Sequence, residues 1–223
     1  MSMIHYAYLF DWEGYKRAVN GPKRNASRLE DWLPPLEALR TRLRTQELKS
    51  FPEWRLDLDE RASDWRDELL SPKTRIKTLE QVRNLHFLAL TDFCRAPGKD
   101  YQYWWDTLKT ALGKILGQEP ADILTLGVRW EGPAWDFMEG LISYQFGFVL
   151  PEDLSNLLAK VEGVTTTKFK EVLPTIDWKG TYGCHGKVLD EGDEAGTLEA
   201  LESLKSNLLQ ARSSELGLFY ILD

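Results

Sequence analysis

The sequence predicts an α+β fold, in which an N-terminal strand and a helical segment pack with a C-terminal antiparallel βαββαβ (ferredoxin-like) sheet unit. Three observations support this prediction. Residues 26–117 place apolar side chains three and four positions apart, a spacing typical of amphipathic helices. Residues 141–222 alternate between strand-like and helix-like segments separated by Gly and Pro. The first ten residues include an aromatic-rich, alternating segment.

The N-terminal half begins with a predicted strand at residues 3–10 and a short helix at residues 12–19. Further helices are predicted at residues 63–70, 78–94 and 101–116. The helix at 78–94 is the clearest, because Thr78 and Gln81 have the spacing of a capping box and apolar residues follow on one face. Gly117 is a typical cap for the end of the last helix. We therefore expect residues 1–118 to be mainly helical.

The C-terminal half, residues 119–223, is predicted to form the α+β sheet unit. Strands are expected at residues 123–130, 141–150, 166–173, 181–189 and 216–222, helices at 152–162 and 197–212, and an acidic loop at 190–196. From residue 141 onward the order is that of the split βαβ arrangement, with two helices on one face of a four-stranded antiparallel sheet. An N-terminal strand that adds to this sheet would make the halves inseparable, so we expect one compact domain over residues 1–223.

Charge is distributed unevenly along the chain. Residues 1–118 hold 20 Lys and Arg against 17 Asp and Glu, whereas residues 119–223 hold 8 against 18. An acidic surface argues against nucleic-acid binding, because phosphate contacts are made by clustered Lys and Arg. It suits a basic protein partner, whose approach it would steer, although solubility alone is an equally simple explanation. The nine Trp side chains are core fillers or interface anchors.

The remaining composition indicates a cytoplasmic protein that does not bind a membrane. Two cysteines, Cys94 and Cys184, fit a reducing compartment better than a disulfide framework. The N-terminus lacks the basic and apolar regions of a signal peptide. No apolar run approaches the roughly 18 residues that span a bilayer.

Two short segments resemble functional motifs. Phe146-Gly147-Phe148-Val149 is similar to the core of an RNA-recognition strand, but the Lys/Arg-Gly that should precede it is replaced by Tyr144-Gln145. The simpler interpretation is a core strand whose Gly lets a neighbouring segment approach closely. Cys184-His185 suggests a nucleophile, yet adjacent residues on a strand point to opposite faces and cannot form a dyad. We expect no metal site and no cofactor, because the sequence lacks paired Cys, a phosphate loop and a dinucleotide fingerprint.

The function that we expect is that of a non-enzymatic, acidic protein-binding module. The most specific form of this hypothesis is an immunity or antitoxin-type inhibitor, of the kind bacteria make, that docks on a basic partner such as a toxin. The acidic loop would steer the partner, and exposed Trp rings with neighbouring carboxylates would anchor it. The predicted partner-binding residues are Asp190, Glu191, Asp193, Glu194, Trp130, Glu131, Trp135 and Asp136.

The alternative is a cytosolic enzyme with a cleft site built from scattered Cys, His and acidic residues. Its candidate residues are Cys184, His5, His86, Asp11 and Glu13. This hypothesis requires a carboxylate or thiol within hydrogen-bond reach of a His. A surface with exposed carboxylates and no such pairing favours the binding module.

Overall fold

A computed structural model describes residues 5–18, 29–45, 52–54, 63–101, 103–127, 145–181, 184 and 188–222. In these ranges the chain is α+β, as predicted, and contains helices and a four-stranded antiparallel sheet. Two compact units can be distinguished. One comprises Met1–Phe10, Pro97–Arg129 and Tyr144–Asp223, and the other Asp11–Ala96 with Trp130–Ser143. The expectation of one domain over residues 1–223 stays a prediction.

The sheet joins the two ends of the sequence. Its strands are β1 (His5–Phe10), β2 (Cys94–Pro97), β3 (Gln145–Val149) and β4 (Gly217–Leu222), in the order β2-β1-β4-β3. β4 pairs antiparallel with β1 on one side, where His5 lies opposite Leu222, and with β3 on the other. Every residue of β4 is buried, which explains its continuous apolar sequence. The expectation that the N-terminal strand adds to the C-terminal sheet is therefore confirmed.

Four of the five helices described in the N-terminal half lie at predicted ranges, and the second lies within residues 26–117, whose apolar spacing indicated helices. The five are α1 (Trp12–Ala18), α2 (Leu29–Arg44), α3 (Ser63–Leu70), α4 (Leu79–Asp92) and α5 (Trp105–Leu116). The capping box of α4 is confirmed, because the Thr78 side chain accepts from the Gln81 N–H and the Gln81 side chain accepts from the Thr78 N–H. Gly117 ends α5 with a φ of 94°, a conformation that glycine adopts readily.

The next segment differs from the prediction. Residues 118–126 form helix α6 (Gln118–Leu126) where a strand was expected to begin at residue 123. The cause is the spacing of its inward side chains, since Ala121, Leu124 and Thr125 are buried on one helical face. A short apolar run of this length does not distinguish a helix from a buried strand by hydrophobicity alone. The remainder of that expected strand, residues 128–130, lies outside the described residues.

The βαββαβ order is not confirmed. After β3 come α7 (Leu154–Glu162), α8 (Thr166–Val172), a 3₁₀ turn at Leu173–Thr175, α9 (Glu191–Ser213) and then β4. The strand expected at 166–173 is thus a helix, capped by Thr165, whose side chain accepts from the Lys168 N–H. Within the strand expected at 181–189, the four described residues, Thr181, Cys184, Val188 and Leu189, are not in a strand, and the others lie outside the described ranges.

Gly147 allows the close approach that its position in β3 suggested. A Cβ at Gly147 would overlap the carbonyl of Leu126 and contact Gly127, so the end of α6 lies directly against the strand. Next to it, Phe148 stacks on Phe219 of β4 with ring centroids 5.1 Å apart. The interpretation of this segment as a core strand is confirmed for Gly147, Phe148 and Val149, all of which are buried.

In the second unit, α2 holds the end of α3 through a buried arginine. Arg40 is 3% exposed, and its guanidinium donates to the carbonyls of Leu69, Ser71 and Thr74 over 2.5 to 2.7 Å. These carbonyls lie at and beyond the C-terminus of α3, where backbone acceptors lack partners within the helix. A cation there also complements the helix dipole. Arg40 therefore stabilises both the helix end and the turn that follows it.

Candidate functional site

The outward face of α9 carries a row of carboxylates. At 100° per residue, Glu191, Glu194, Glu199 and Glu202 fall within an arc of about 140° on one side of the helix. We call these four residues the acidic stripe. The opposite side is buried against the sheet and neighbouring helices by Ala200, Leu201, Leu204, Leu208 and Ala211. Glu191, Glu199 and Glu202 are exposed, and Glu194 is half-exposed, so the packing of the helix turns the stripe toward solvent.

The N-terminal end of α9 is where the acidic loop was expected, and that expectation is wrong. Residues 191–196 are helical, and Asp190 is the N-cap, its carboxylate accepting from the Asp193 N–H over 2.7 Å. Carboxylates in the first turn of a helix interact favourably with its dipole, so these acids favour the helix that begins among them. Asp190 therefore has a structural role in addition to its surface charge.

A glycine and a tryptophan fix the start of α9 against α5. The Trp104 indole lies where a side chain at Gly196 would be, so only glycine permits this packing. One residue further on, the Thr197 hydroxyl lies 2.9 Å from the Thr107 hydroxyl of α5. Glycine is unfavourable in a helix interior. The contact with Trp104 explains why Gly196 lies within a helix.

Cys184 lies among carboxylates and does not have the environment of a nucleophile. Partial burial, together with the charges of Asp193, Asp106 and Asp190, raises the pKa of Cys184 to about 11. A reactive thiol needs the opposite, a cationic or hydrogen-bonding environment that favours the thiolate. This candidate of the enzyme hypothesis is therefore a neutral thiol at physiological pH.

The acidic residues proposed for an enzyme have structural partners. The Asp11 carboxylate accepts from the Gly14 N–H over 2.8 Å in the first turn of α1, and it forms an ion pair with Arg95 over 2.5 Å. Partial burial acts to raise the pKa of Asp11, but Arg95 and the Gly14 N–H outweigh it and hold the pKa below its ordinary value. Glu13 is exposed and pairs with Lys16 one helical turn away.

His5 is fully buried and has neither a carboxylate nor a thiol as partner among the described residues. Its Nε2 lies 2.7 Å from the carbonyl of Thr125, and its Nδ1 makes no hydrogen bond within those ranges. Burial lowers the pKa of His5 to about 4, against the opposing effect of backbone hydrogen bonds from Thr125 and from His5 itself. Such an imidazole is neutral at physiological pH and closed to substrate.

Some of the predicted partner-binding and enzyme residues lie outside the described part of the chain. Trp130, Glu131, Trp135 and Asp136 lie outside the described residues, so their part in partner binding stays a prediction. His86 belongs to α4, and its side chain lies outside the described part of the chain. Of the predicted partner-binding residues that are described, Asp190, Glu191, Asp193 and Glu194 come together at one helix end.

The sequence prediction missed the continuation of the acidic surface along α9. Glu199 and Glu202 follow Glu191 after eight and eleven residues, a spacing that returns to the same helical face, but the assumption of a loop concealed it. It also missed Asp106, whose negative charge helps to raise the pKa of Cys184 from α5.

In the described ranges, no three His, Cys, Asp or Glu side chains are grouped so that they could hold a metal ion. Every helix in those ranges is too short or too polar to cross a membrane.

No family model, no curated protein and no solved structure matches this chain.

Proposed function

We propose that this protein is a non-enzymatic binding protein that docks on a basic protein partner through the acidic stripe of α9. One observation carries the proposal. Residues 190–202 contain six carboxylates and no Lys or Arg, and four of them line the exposed face of one long helix. A helix packed along its length holds these charges in fixed positions. A basic partner would therefore meet a preformed row of acceptors.

Charge of this kind acts mainly on the rate of association. Exposed carboxylates are screened by water and salt, so each contributes little to the affinity of the final complex. Together they create a field that accelerates the encounter with a cationic surface. Two lysines offset part of this charge, since the Nζ atom of Lys170 lies 3.8 Å from Glu194 and Lys205 pairs with Glu202. Four carboxylates against these two lysines leave the stripe net negative.

An apolar residue adjoins the stripe. Leu209 is 50% exposed, and at 100° per residue it lies on the same line along α9 as Glu191 and within about 20° of Glu202. Binding energy in protein interfaces comes mostly from buried apolar contacts, with charges at the rim. Leu209 supplies such a contact next to the carboxylates that steer the partner.

The class of partner that we propose is a basic toxin, which would make this protein a cytoplasmic immunity or antitoxin-type inhibitor. Three features support it. The C-terminal half is strongly acidic, burial keeps His5 neutral while burial and nearby carboxylates keep the Cys184 thiol protonated, and a rigid charged helix suits fast capture of a cationic protein. Such an inhibitor needs no cofactor and no nucleic acid.

The experiment that tests the proposal compares three forms of the full chain in pull-downs from the native host at low and moderate salt. The first is wild type. The second carries Glu191→Gln, Glu199→Gln and Glu202→Gln in the stripe. The third, a matched control with the same loss of charge, carries Glu119→Gln, Glu152→Gln and Glu171→Gln at other exposed positions. We expect one basic protein, identified by mass spectrometry, with wild type and control but not with the stripe variant. Equal capture by all three forms would overturn the role of the stripe.

A further inference from the structure

The buried imidazole of His5 lies where the ends of three elements meet. His5 is the first residue of β1 and lies opposite Leu222, the last residue of β4. Its Nε2 is 2.7 Å from the carbonyl of Thr125, in the last turn of α6. Because a carbonyl only accepts, the Nε2 atom carries the proton and Nδ1 is the bare nitrogen of a neutral ring. One side chain therefore links the sheet to a helix end.

Aromatic rings enclose this imidazole. The Tyr101 ring is stacked on it with ring centroids 4.3 Å apart, and the centroid of the tilted Tyr220 ring lies 4.7 Å from that of the imidazole. Their hydroxyls are 3.1 Å apart, and that of Tyr220 also donates to the carbonyl of Leu124. His5, Tyr101 and Tyr220 are at most 2% exposed. The ring is thus held tightly in surroundings that suit only its neutral form.

The described side chains that face His5 supply no negative charge to balance a positive one. Burial raises the pKa of Tyr101 to about 12 and raises that of Tyr220 well above its ordinary value, so both hydroxyls stay neutral. Thr125 from α6 and Asn207 from α9, which hydrogen bonds Tyr101, carry no charge. The carboxylate of Asp100 is exposed and accepts from the Ala7 N–H. No charged side chain of the described residues acts on the pKa of His5.

We propose that His5 is an acid-sensitive latch, whose protonation opens the junction between the start of β1, the end of β4 and the last turn of α6. A proton on Nδ1 would place a buried positive charge on the ring with no counter-ion among the described residues, and this costs more than the backbone hydrogen bonds of Thr125 and His5 itself return. The junction consists of element ends, which open at lower free energy than the middle of a sheet. The response to acid is therefore local opening at residues 5–10 and 118–127.

The sign of the pH dependence follows from the pKa of His5, which is lower in the folded protein than in the unfolded chain. The open form binds the proton more readily, so stability is fully present above about pH 6.5 and is lost as the pH falls toward 4. The pKa of His5 is about 4 in the closed form and about 6.5 in the open form. Lowering the pH from 7 to 5 therefore raises the ratio of open to closed molecules about 20-fold.

The test measures urea unfolding of the full chain at pH 7 and pH 5 for wild type and for His5→Phe. The phenyl ring keeps the stacking but cannot titrate, and His86 and His185 remain in both proteins, so their contributions cancel. We expect the pH change to raise the unfolding equilibrium constant about 20-fold more in wild type than in His5→Phe. An equal pH dependence in the two proteins would overturn the proposal.

Two measurements on wild type keep the proposal testable even if His5→Phe does not fold. Imidazole NMR titration should show one of three histidines with a pKa near 4, and three values near 6.5 would contradict it. Hydrogen exchange, corrected for intrinsic rates, should show acid-induced exposure at residues 5–10 and 118–127 while α7 stays protected. Equal exposure in α7 would show global unfolding instead of a latch.

Discussion

Replacing Arg40 with Met should destabilise the protein more than almost any other change to a charged residue in α2. The side chain is 4% exposed, and its guanidinium bonds three backbone carbonyls and the carboxylate of Glu37. Met fills much of the same volume but leaves the carbonyls of Leu69 and Thr74 without this donor. Hydrogen bonds to charged groups contribute about 1.5 to 3 kcal/mol, and buried acceptors left unpaired add to the loss. We expect a loss of about 3 kcal/mol in the free energy of unfolding.

Urea denaturation followed by circular dichroism measures this loss, and two further variants identify its source. Arg40→Lys keeps the charge but cannot reach three carbonyls at once, so it should lose about half as much. Glu37→Gln removes only the ion pair, whose carboxylate is 47% exposed, and should cost less than about 0.5 kcal/mol. A loss below about 1 kcal/mol for Arg40→Met would refute the view that the carbonyl bonds hold α3.

Three further predictions concern single residues. Thr78→Ala removes the capping box of α4 and should cost about 1 kcal/mol in urea unfolding, and no change would show that the cap is redundant. Gly147→Ala puts a methyl group into the carbonyl of Leu126 and should cost at least about 3 kcal/mol, whereas the control Gly163→Ala, at a φ of −68°, should stay within about 1 kcal/mol. Cys184 should react with iodoacetamide about 100-fold more slowly than an unperturbed thiol at pH 7.5, and Asp193→Asn should accelerate it, as peptide mass spectrometry would reveal. A reaction rate of wild-type Cys184 equal to that of glutathione would contradict the raised pKa of this thiol.

The parts of the fold that the sequence predicted are those with a local signal. The capping box at Thr78 and Gln81 is a reciprocal pair of hydrogen bonds within four residues, so it can be identified without tertiary information. The strand of residues 217–222 is rich in apolar residues because it is an internal strand of the sheet and every residue in it is buried. Gly147 within an aromatic strand indicated a close backbone approach, and the end of α6 provides it.

The errors lie where residue propensity alone does not decide between helix, strand and loop. Residues 190–196 were expected to be an acidic loop, but they begin a helix in which the Trp104 ring occupies the space of the missing side chain of Gly196. Residues 166–172 contain Thr and Val, which favour strands, yet the Thr165 cap and the single buried Phe169 give a short helix. The loop expected at residues 190–196 concealed the acidic stripe, since its members share a face only when residues 191–202 form one helix.

The candidate site was predicted in part. Asp190, Glu191, Asp193 and Glu194 were identified as a cluster from their charge, whereas Glu199 and Glu202 required the helix to be known. The roles of Asp190 as an N-cap and of Asp193 beside Cys184 depend on geometry that charge patterning does not contain. The surface proposed for binding is therefore shifted along α9, away from the capping residue.

The most direct test of the acidic stripe is its effect on association rate, measured by surface plasmon resonance with the basic protein captured in the pull-down. Wild type is compared with the stripe variant and with the control that loses the same charge elsewhere. At low salt we expect the stripe variant to associate about 10-fold more slowly and the control no more than about 2-fold more slowly, with both differences shrinking as salt rises. Equal slowing of the two variants would show that net charge, and not the outward face of α9, attracts the partner.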